Sequence, residues 1–212
     1  MKSLWFKKLK NKVKVLLKKE YSGHDYWHAI RVCNISEYIG KKEKADLDVL
    51  RTAALIHDIY AGEDYATHVE KAVKFANKIL RKLGFPESKI TDVISCVKNH
   101  EKYNWGKTSK ISKEAKILQD ADRLDAIGAI GIARTFTFGG WYGRPIYTPG
   151  EKYGIYSKFS KTGKSSITHF YEKLLRLKGS MNTKTGKKLA EDRHKFMKIY
   201  LKRFFKEWEG EI

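Results

Sequence analysis

Seven histidines occur in the chain, and five of them fall in its first half: His24, His28, His57, His68 and His100. His24 and His28 are four residues apart and Arg31 follows three later, a spacing that puts all three on one face of a helix. His57 and Asp58 are adjacent and end an apolar run, Ala53-Ala54-Leu55-Ile56. An imidazole and a carboxylate placed after such a run cost desolvation unless something pairs with them, and a divalent cation is one natural partner. A third group, Asp120-Ala121-Asp122-Arg123-Leu124-Asp125, sets Asp122 and Asp125 three apart among small and apolar residues. Singly, each has a plain alternative: the His-Asp pair as a structural hydrogen-bonded dyad, the aspartates as a helix cap with surface salt bridges. Together, two imidazoles and two carboxylates make the mixed nitrogen and oxygen donor set that suits Mn, Fe, Co, Ni or Zn and leaves positions for water and substrate.

Helices must position these groups. Leu4, Trp5, Leu9, Val13, Leu16 and Leu17 recur at helical intervals among lysines and predict an amphipathic first helix that packs on the domain. A second helix is predicted over 24–39, stopped by Gly40. Asp46 is the expected N-cap of a third, whose Leu47, Leu50, Ala54 and Leu55 lead into His57-Asp58. A short loop with Gly62 precedes a helix over 65–83, ended by Gly84. Pro86, at the first helical position, opens the next, which runs toward His100. After a polar loop at 101–110, helical signals resume over 114–138. The stretch 139–164 differs, with six glycines, two of the three prolines and aromatics that include Trp141, Tyr142, Tyr147, Tyr153 and Tyr156. It reads as a long loop excursion. Helices over 166–177 and 183–208 close the chain. Without period-two alternation or an internal repeat, the expected class is all-α: a single domain over 1–212, with its core at about 20–138 and a C-terminal helical part at about 165–208.

Composition bounds the function. Hydrophobic residues make up 42% and aromatics 13%, too rich for a disordered chain. No apolar run approaches the roughly eighteen residues of a membrane span. The first nineteen residues lack both an unbroken apolar stretch and a small-residue cleavage site, so the chain is expected to be cytoplasmic, with no membrane partner. Cys33 and Cys96 are expected as small buried residues without a disulfide. The net charge of +20, from 44 basic against 24 acidic residues, has two readings. It is either a solvated, repulsive surface or a field that draws in polyanions such as nucleotides or nucleic acid.

The order His28, His57-Asp58, Asp122 resembles the signature of the HD-domain phosphohydrolase superfamily. The first histidine precedes an Arg-Val pair (Arg31-Val32), the His-Asp pair follows small and aliphatic residues, and the last aspartate lies in Ala121-Asp122-Arg123-Leu124. Residues 120–134, Phe138-Gly139-Gly140 and His169-Phe170-Tyr171-Glu172-Lys173-Leu174 resemble a stand-alone prokaryotic subgroup associated with nucleotide pyrophosphohydrolase activity. The resemblance spans about residues 20–205. It implies an HD-domain helical bundle with a divalent ion (Mn, Ni, Co, Fe, Zn or Mg) held by His28, His57, Asp58 and Asp122. His68 and His100 lie in the interval where binuclear relatives place second-metal ligands; contacts to phosphate, or purely structural roles, are the alternatives. His24 is expected beside the ligands or at the helix start.

The implied reaction is hydrolysis by metal-activated water of a nucleotide or other phosphorylated small molecule, most simply a nucleoside or deoxynucleoside triphosphate. Arg31 is the leading cation for the developing phosphoryl charge, with Arg123, Arg134 and Lys71 as further substrate contacts. Glu63 is a candidate for orienting water, and Asp125 for orienting a ligand or meeting a ribose hydroxyl. The plain alternatives are loop acids and salt bridges. Residues 139–164 are the expected specificity element, with aromatic faces for a base and Arg144 and Lys152 for phosphates, or else an oligomer contact. Two other classes stay open: a nucleic-acid-binding module carrying an idle site, and a di-iron oxygenase using His68 and His100.

Overall fold

Short polar side chains decide where several of the helices begin. In the computed structural model, which describes residues 4–64, 66–102, 110–152 and 165–212, the carboxylate of Asp25 accepts the backbone N–H of His28 and starts α2 (Tyr26–Glu43). Asp46 caps α3 (Leu47–Ile56), Ser112 caps α6 (Lys113–Asp125) and Thr183 caps the long C-terminal α10 (Lys184–Trp208) in the same way. Between and around them lie α1 (Leu4–Leu16), α4 (His68–Lys82), α5 (Glu87–Asn99), α7 (Gly128–Tyr142) and two short helices, α8 (Ser166–His169) and α9 (Leu175–Leu177). No strand occurs among the described residues, and the fold is all-α as expected. Among the described residues no helix is long and apolar enough to cross a membrane.

The apolar side chains gather in two clusters. One draws on α1 to α6, through residues such as Phe6, Leu9, Val32, Ala53, Leu80, Val93 and Leu118. The other joins Ile39, Leu50, Ile117 and Leu124 to Ile167, Phe170, Leu177, Met197 and Leu201 of the C-terminal half. Helices α2, α3 and α6 contribute to both clusters, so they are packed from two sides. Of these, α3 is apolar nearly all round, with Val49, Leu50, Thr52, Ala53, Ala54, Leu55 and Ile56 all buried, as suits a central helix. The outer helix α1 buries Phe6, Leu9 and Val13 and turns Lys7, Lys8, Lys12 and Lys14 to solvent. Cys33 and Cys96 are both buried and free.

Several boundaries differ from the sequence reading, each for a tertiary reason. Gly40 does not end α2. The helix runs on to Glu43 and closes at Lys44, whose φ is 53°. Gly40 is there because a Cβ would lie 2.5 Å from Leu50 Cδ1, so it lets α3 approach. Pro86 is the cap residue before α5 and not its first residue. The stretch 114–138 is two helices, broken at Ala126-Ile127 and restarted at Gly128, whose φ of +77° belongs to the left-handed region.

Beyond this corner α7 continues to Tyr142, so Gly139, Gly140, Trp141 and Tyr142 are helical and not part of a loop. Gly139 serves packing, since a Cβ there would fall 2.1 Å from Ser166 Oγ. Of the expected excursion, Tyr153 and Tyr156 lie outside the described residues. The predicted helix over 166–177 contains a widened π-helical turn, Phe170–Leu174, between α8 and α9.

The corner between α6 and α7 should be the most sensitive backbone position. An added Cβ at Gly131 would lie 2.3 Å from the carbonyl oxygen of Ala126, a backbone atom that cannot swing away. Gly131→Ala is expected to destabilise by about 1–3 kcal/mol. Gly140→Ala, with nothing within 4 Å of the new methyl, should stabilise by about 0.4–1 kcal/mol. Urea melts of the two variants check this; equal effects would discount the backbone clash.

Candidate metal centre

The three helices shared by both apolar clusters bring the chemistry together. His28 sits in the first turns of α2. His57 and Asp58 continue from the end of α3, where the backbone carbonyls carry the negative end of the helix dipole. Asp122 and Asp125 lie in the last turn of α6. His28 and His57 are fully buried, and Asp58 nearly so. Their ligand-type atoms, with one from Asp122, all lie within 4.8 Å of one another.

The hydrogen bonds made on the far side of each ring define what faces inward. His28 Nδ1 lies 2.8 Å from Asp125 Oδ2 and His57 Nδ1 lies 2.8 Å from the carbonyl oxygen of Ala54. A carboxylate and a carbonyl can only accept, so both Nδ1 atoms carry the hydrogen and both neutral rings aim an Nε2 lone pair inward. Those two Nε2 atoms are 3.2 Å apart. Asp58 Oδ2 lies 3.4 Å from each, and Asp122 Oδ1 lies 3.7 and 3.8 Å away. Lone pairs and carboxylate oxygens so placed repel one another unless a cation sits among them, and four such donors fit a divalent ion.

The ionisation of the metal-free groups tells the same story. Burial, and then Arg134, oppose a charge on His28, yet hydrogen bonding to Asp125 and Asp58 raises its pKa above the ordinary imidazole value. Burial also opposes charge on Asp58 and Asp122. The histidines overcome it: His57 and His100 hold Asp58 well below the usual carboxylate range, and His57 does the same for Asp122.

A second group adjoins the first through Asp58. His100 Nδ1 is 2.7 Å from the carbonyl oxygen of Val97, which again turns Nε2 inward, 3.0 Å from Asp58 Oδ1. His68 Nε2 is 3.4 Å from the same oxygen and 3.6 Å from Glu101 Oε2. Asp58, His68 and His100 could therefore hold an ion, with one Asp58 oxygen facing each group. Glu101 escaped the sequence reading, although it directly follows His100.

Asp125 is buried behind this centre. Besides His28 it receives Arg31, at 2.8 Å from Nε to Oδ1 and 3.1 Å from Nη2 to Oδ2, and Arg134 Nη1 at 3.2 Å. Arg134 Nε also donates to the carbonyl of Gly23, at 2.9 Å. His24 packs edge-on against His28, with Nδ1 2.9 Å from Ser22 Oγ; burial first, then Arg134, pushes its pKa down to about 3, so the ring is neutral.

Other expected substrate contacts lie elsewhere. Arg123 is buried, with its guanidinium on the carbonyls of Ser180 and Lys102 and on Gln119 Oε1, so it ties the chain together and does not present a charge to a ligand. Lys71 pairs with Asp64 at 3.9 Å on the surface, and Glu63 is exposed on the turn after the His-Asp pair; among the described residues no contact joins either to the centre. Arg144 lies over the rings of Phe138 and Tyr142, at 5.6 and 5.0 Å.

Residues 26–127 match the HD domain family. The Bacillus subtilis protein YpgQ is 40% identical over 200 residues, which span 93% of this chain and 91% of YpgQ. A YpgQ structure in complex with ADP superposes with a TM-score of 0.75 at 35% identity, covering 96% of this chain and 94% of that one. A Lactobacillus plantarum protein superposes with a TM-score of 0.83 at 30% identity, over 99% of both chains. An HD-superfamily hydrolase from Bacillus thuringiensis does so with a TM-score of 0.71 at 36% identity, over 97% of both.

If Asp125 fixes the ring of His28, Asp125→Asn should weaken divalent-metal affinity about 10- to 100-fold while the helical circular dichroism persists. Equilibrium titration with Mn or Co checks this, and unchanged affinity would remove the orienting role.

Proposed function

The chain belongs to the HD-domain family of hydrolases, and from that premise we propose that it is a metal-dependent phosphohydrolase of nucleotides, cleaving nucleoside or deoxynucleoside triphosphates between the α- and β-phosphates. The observation that carries this reading is the buried convergence of two Nε2 lone pairs with the carboxylates of Asp58 and Asp122. His28, His57, Asp58 and Asp122 would hold the ion, and His68 and His100, with Asp58 shared, would hold a second ion or meet phosphate. Such an ion would supply polarisation of a phosphoryl oxygen and a lowered pKa for water.

The chain's own side chains supply the rest. Asp125 keeps the proton of His28 on Nδ1 and so keeps Nε2 free to ligate. It also anchors Arg31, whose side chain is 31% exposed beside the centre, as the cation for charge gathering on the phosphoryl oxygens. Arg134, more deeply set, fixes Asp125 and the backbone at Gly23. Burial around His57 and Asp58 limits water near the reacting groups, which strengthens each of these interactions. The nucleotide part of the reading is supported by the ADP complex of the related YpgQ and by the basic surface.

Wild-type protein loaded with Mn, Co, Ni or Mg is expected to turn over a panel of nucleoside triphosphates, with the monophosphate and pyrophosphate as products. His57→Ala and Asp58→Ala should reduce turnover to background with every metal. Phosphate release assayed with and without pyrophosphatase reads the cleavage position. Absence of turnover on nucleotides and phosphodiesters with all four metals would sink the proposal.

A further inference from the structure

The metal centre continues into a row of aromatic rings. His24 stands edge-on between His28, at 5.7 Å, and Phe138 of α7, at 6.3 Å. Phe138 contacts Trp141 at 5.7 Å and stacks on Tyr142 at 5.8 Å with an interplanar angle of 10°. Positions 138, 141 and 142 are three and four apart, so one face of α7 carries all three rings. Arg144 braces Phe138 and Tyr142 from the end of the helix. Trp141 and Tyr142 nevertheless remain 51% and 44% exposed. Large rings left half in water, in a contiguous row that begins at a ligand-bearing helix, are a surface suited to a flat partner.

We propose that Trp141 and Tyr142 form a shelf on which the nucleobase stacks while the phosphates lie at the metal centre. This rests on the nucleotide reading above. The ring contacts step from His28 through His24 and Phe138 to Trp141, so Trp141 lies no farther from His28 than those three ring-to-ring steps. His24, with Nδ1 2.9 Å from Ser22 Oγ, stands between the centre and the aromatic face. Stacking recognises a π-face and not a hydrogen-bonding edge, so the shelf accepts all bases and favours the larger purines. It selects nucleotides over phosphate chains that lack a base.

The test compares ATP with inorganic tripolyphosphate, both with Mn. Trp141→Ala/Tyr142→Ala should lower the ratio of kcat/KM for ATP to that for tripolyphosphate about 10- to 100-fold, mainly through KM for ATP. Trp141→Phe, which keeps a π-face, should restore most of the ratio, and Phe196→Ala, on the exposed face of α10, should leave it unaltered. A ratio unchanged in the double variant, or one lowered equally by Phe196→Ala, overturns the shelf. If the wild type hydrolyses neither compound, the phosphohydrolase reading fails separately. The shelf is then decided by equilibrium dialysis: loss of ATP binding in the double variant supports it, and equal ATP binding in both proteins overturns it.

Discussion

Two buried imidazoles point lone pairs at each other across 3.2 Å, with two carboxylates beside them. The rest of the fold answers to that arrangement. A cluster of like-signed atoms is stable only around a cation, and the atoms converge only if their backbones are rigid. Placing the candidate ligands on α2 and α6 and at the end of α3, the helices gripped by both apolar clusters, supplies the rigidity. The outer helices complete those clusters and leave the centre to the inner three.

Asp125 links this centre to the chain around it. One carboxylate holds the ring of His28, the fork of Arg31 and the tip of Arg134, and through Arg134 it reaches the turn before α2. Because Asp122 and Asp125 share the last turn of α6, a single helical turn both presents a donor atom to the candidate centre and fixes the orientation of the His28 ring. The π-face of α7 follows from the same corner, since the break at Gly128 swings α7 to where Phe138 can meet His24.

The chain's local pattern carried the helices and the centre farther than it carried the connections. The convergence of His28, His57, Asp58 and Asp122 was legible because each sits in a short, characteristic segment, and Asp46 and Gly84 punctuate helices as their types require. Gly40 misled because its reason is Leu50 on another helix. Arg123 misled because its partners, the carbonyls of Lys102 and Ser180, are remote in sequence. Trp141 and Tyr142 looked like loop residues because two glycines precede them, yet Gly139 is there to clear Ser166. In each case the deciding contact is tertiary, and no local window contains it.

The lysine face of α1 and the overall charge of +20 would act in opposite senses on a free divalent cation and on a polyphosphate. A positive field slows the approach of a free divalent cation and hastens that of a polyphosphate, over about a Debye length of 8–10 Å. A cation already chelated by a nucleotide carries net negative charge and is drawn in with it. On the nucleotide reading proposed above, the surface would bias the order of arrival toward metal delivered as the nucleotide complex over metal that comes alone, and the bias would fade as ionic strength rises.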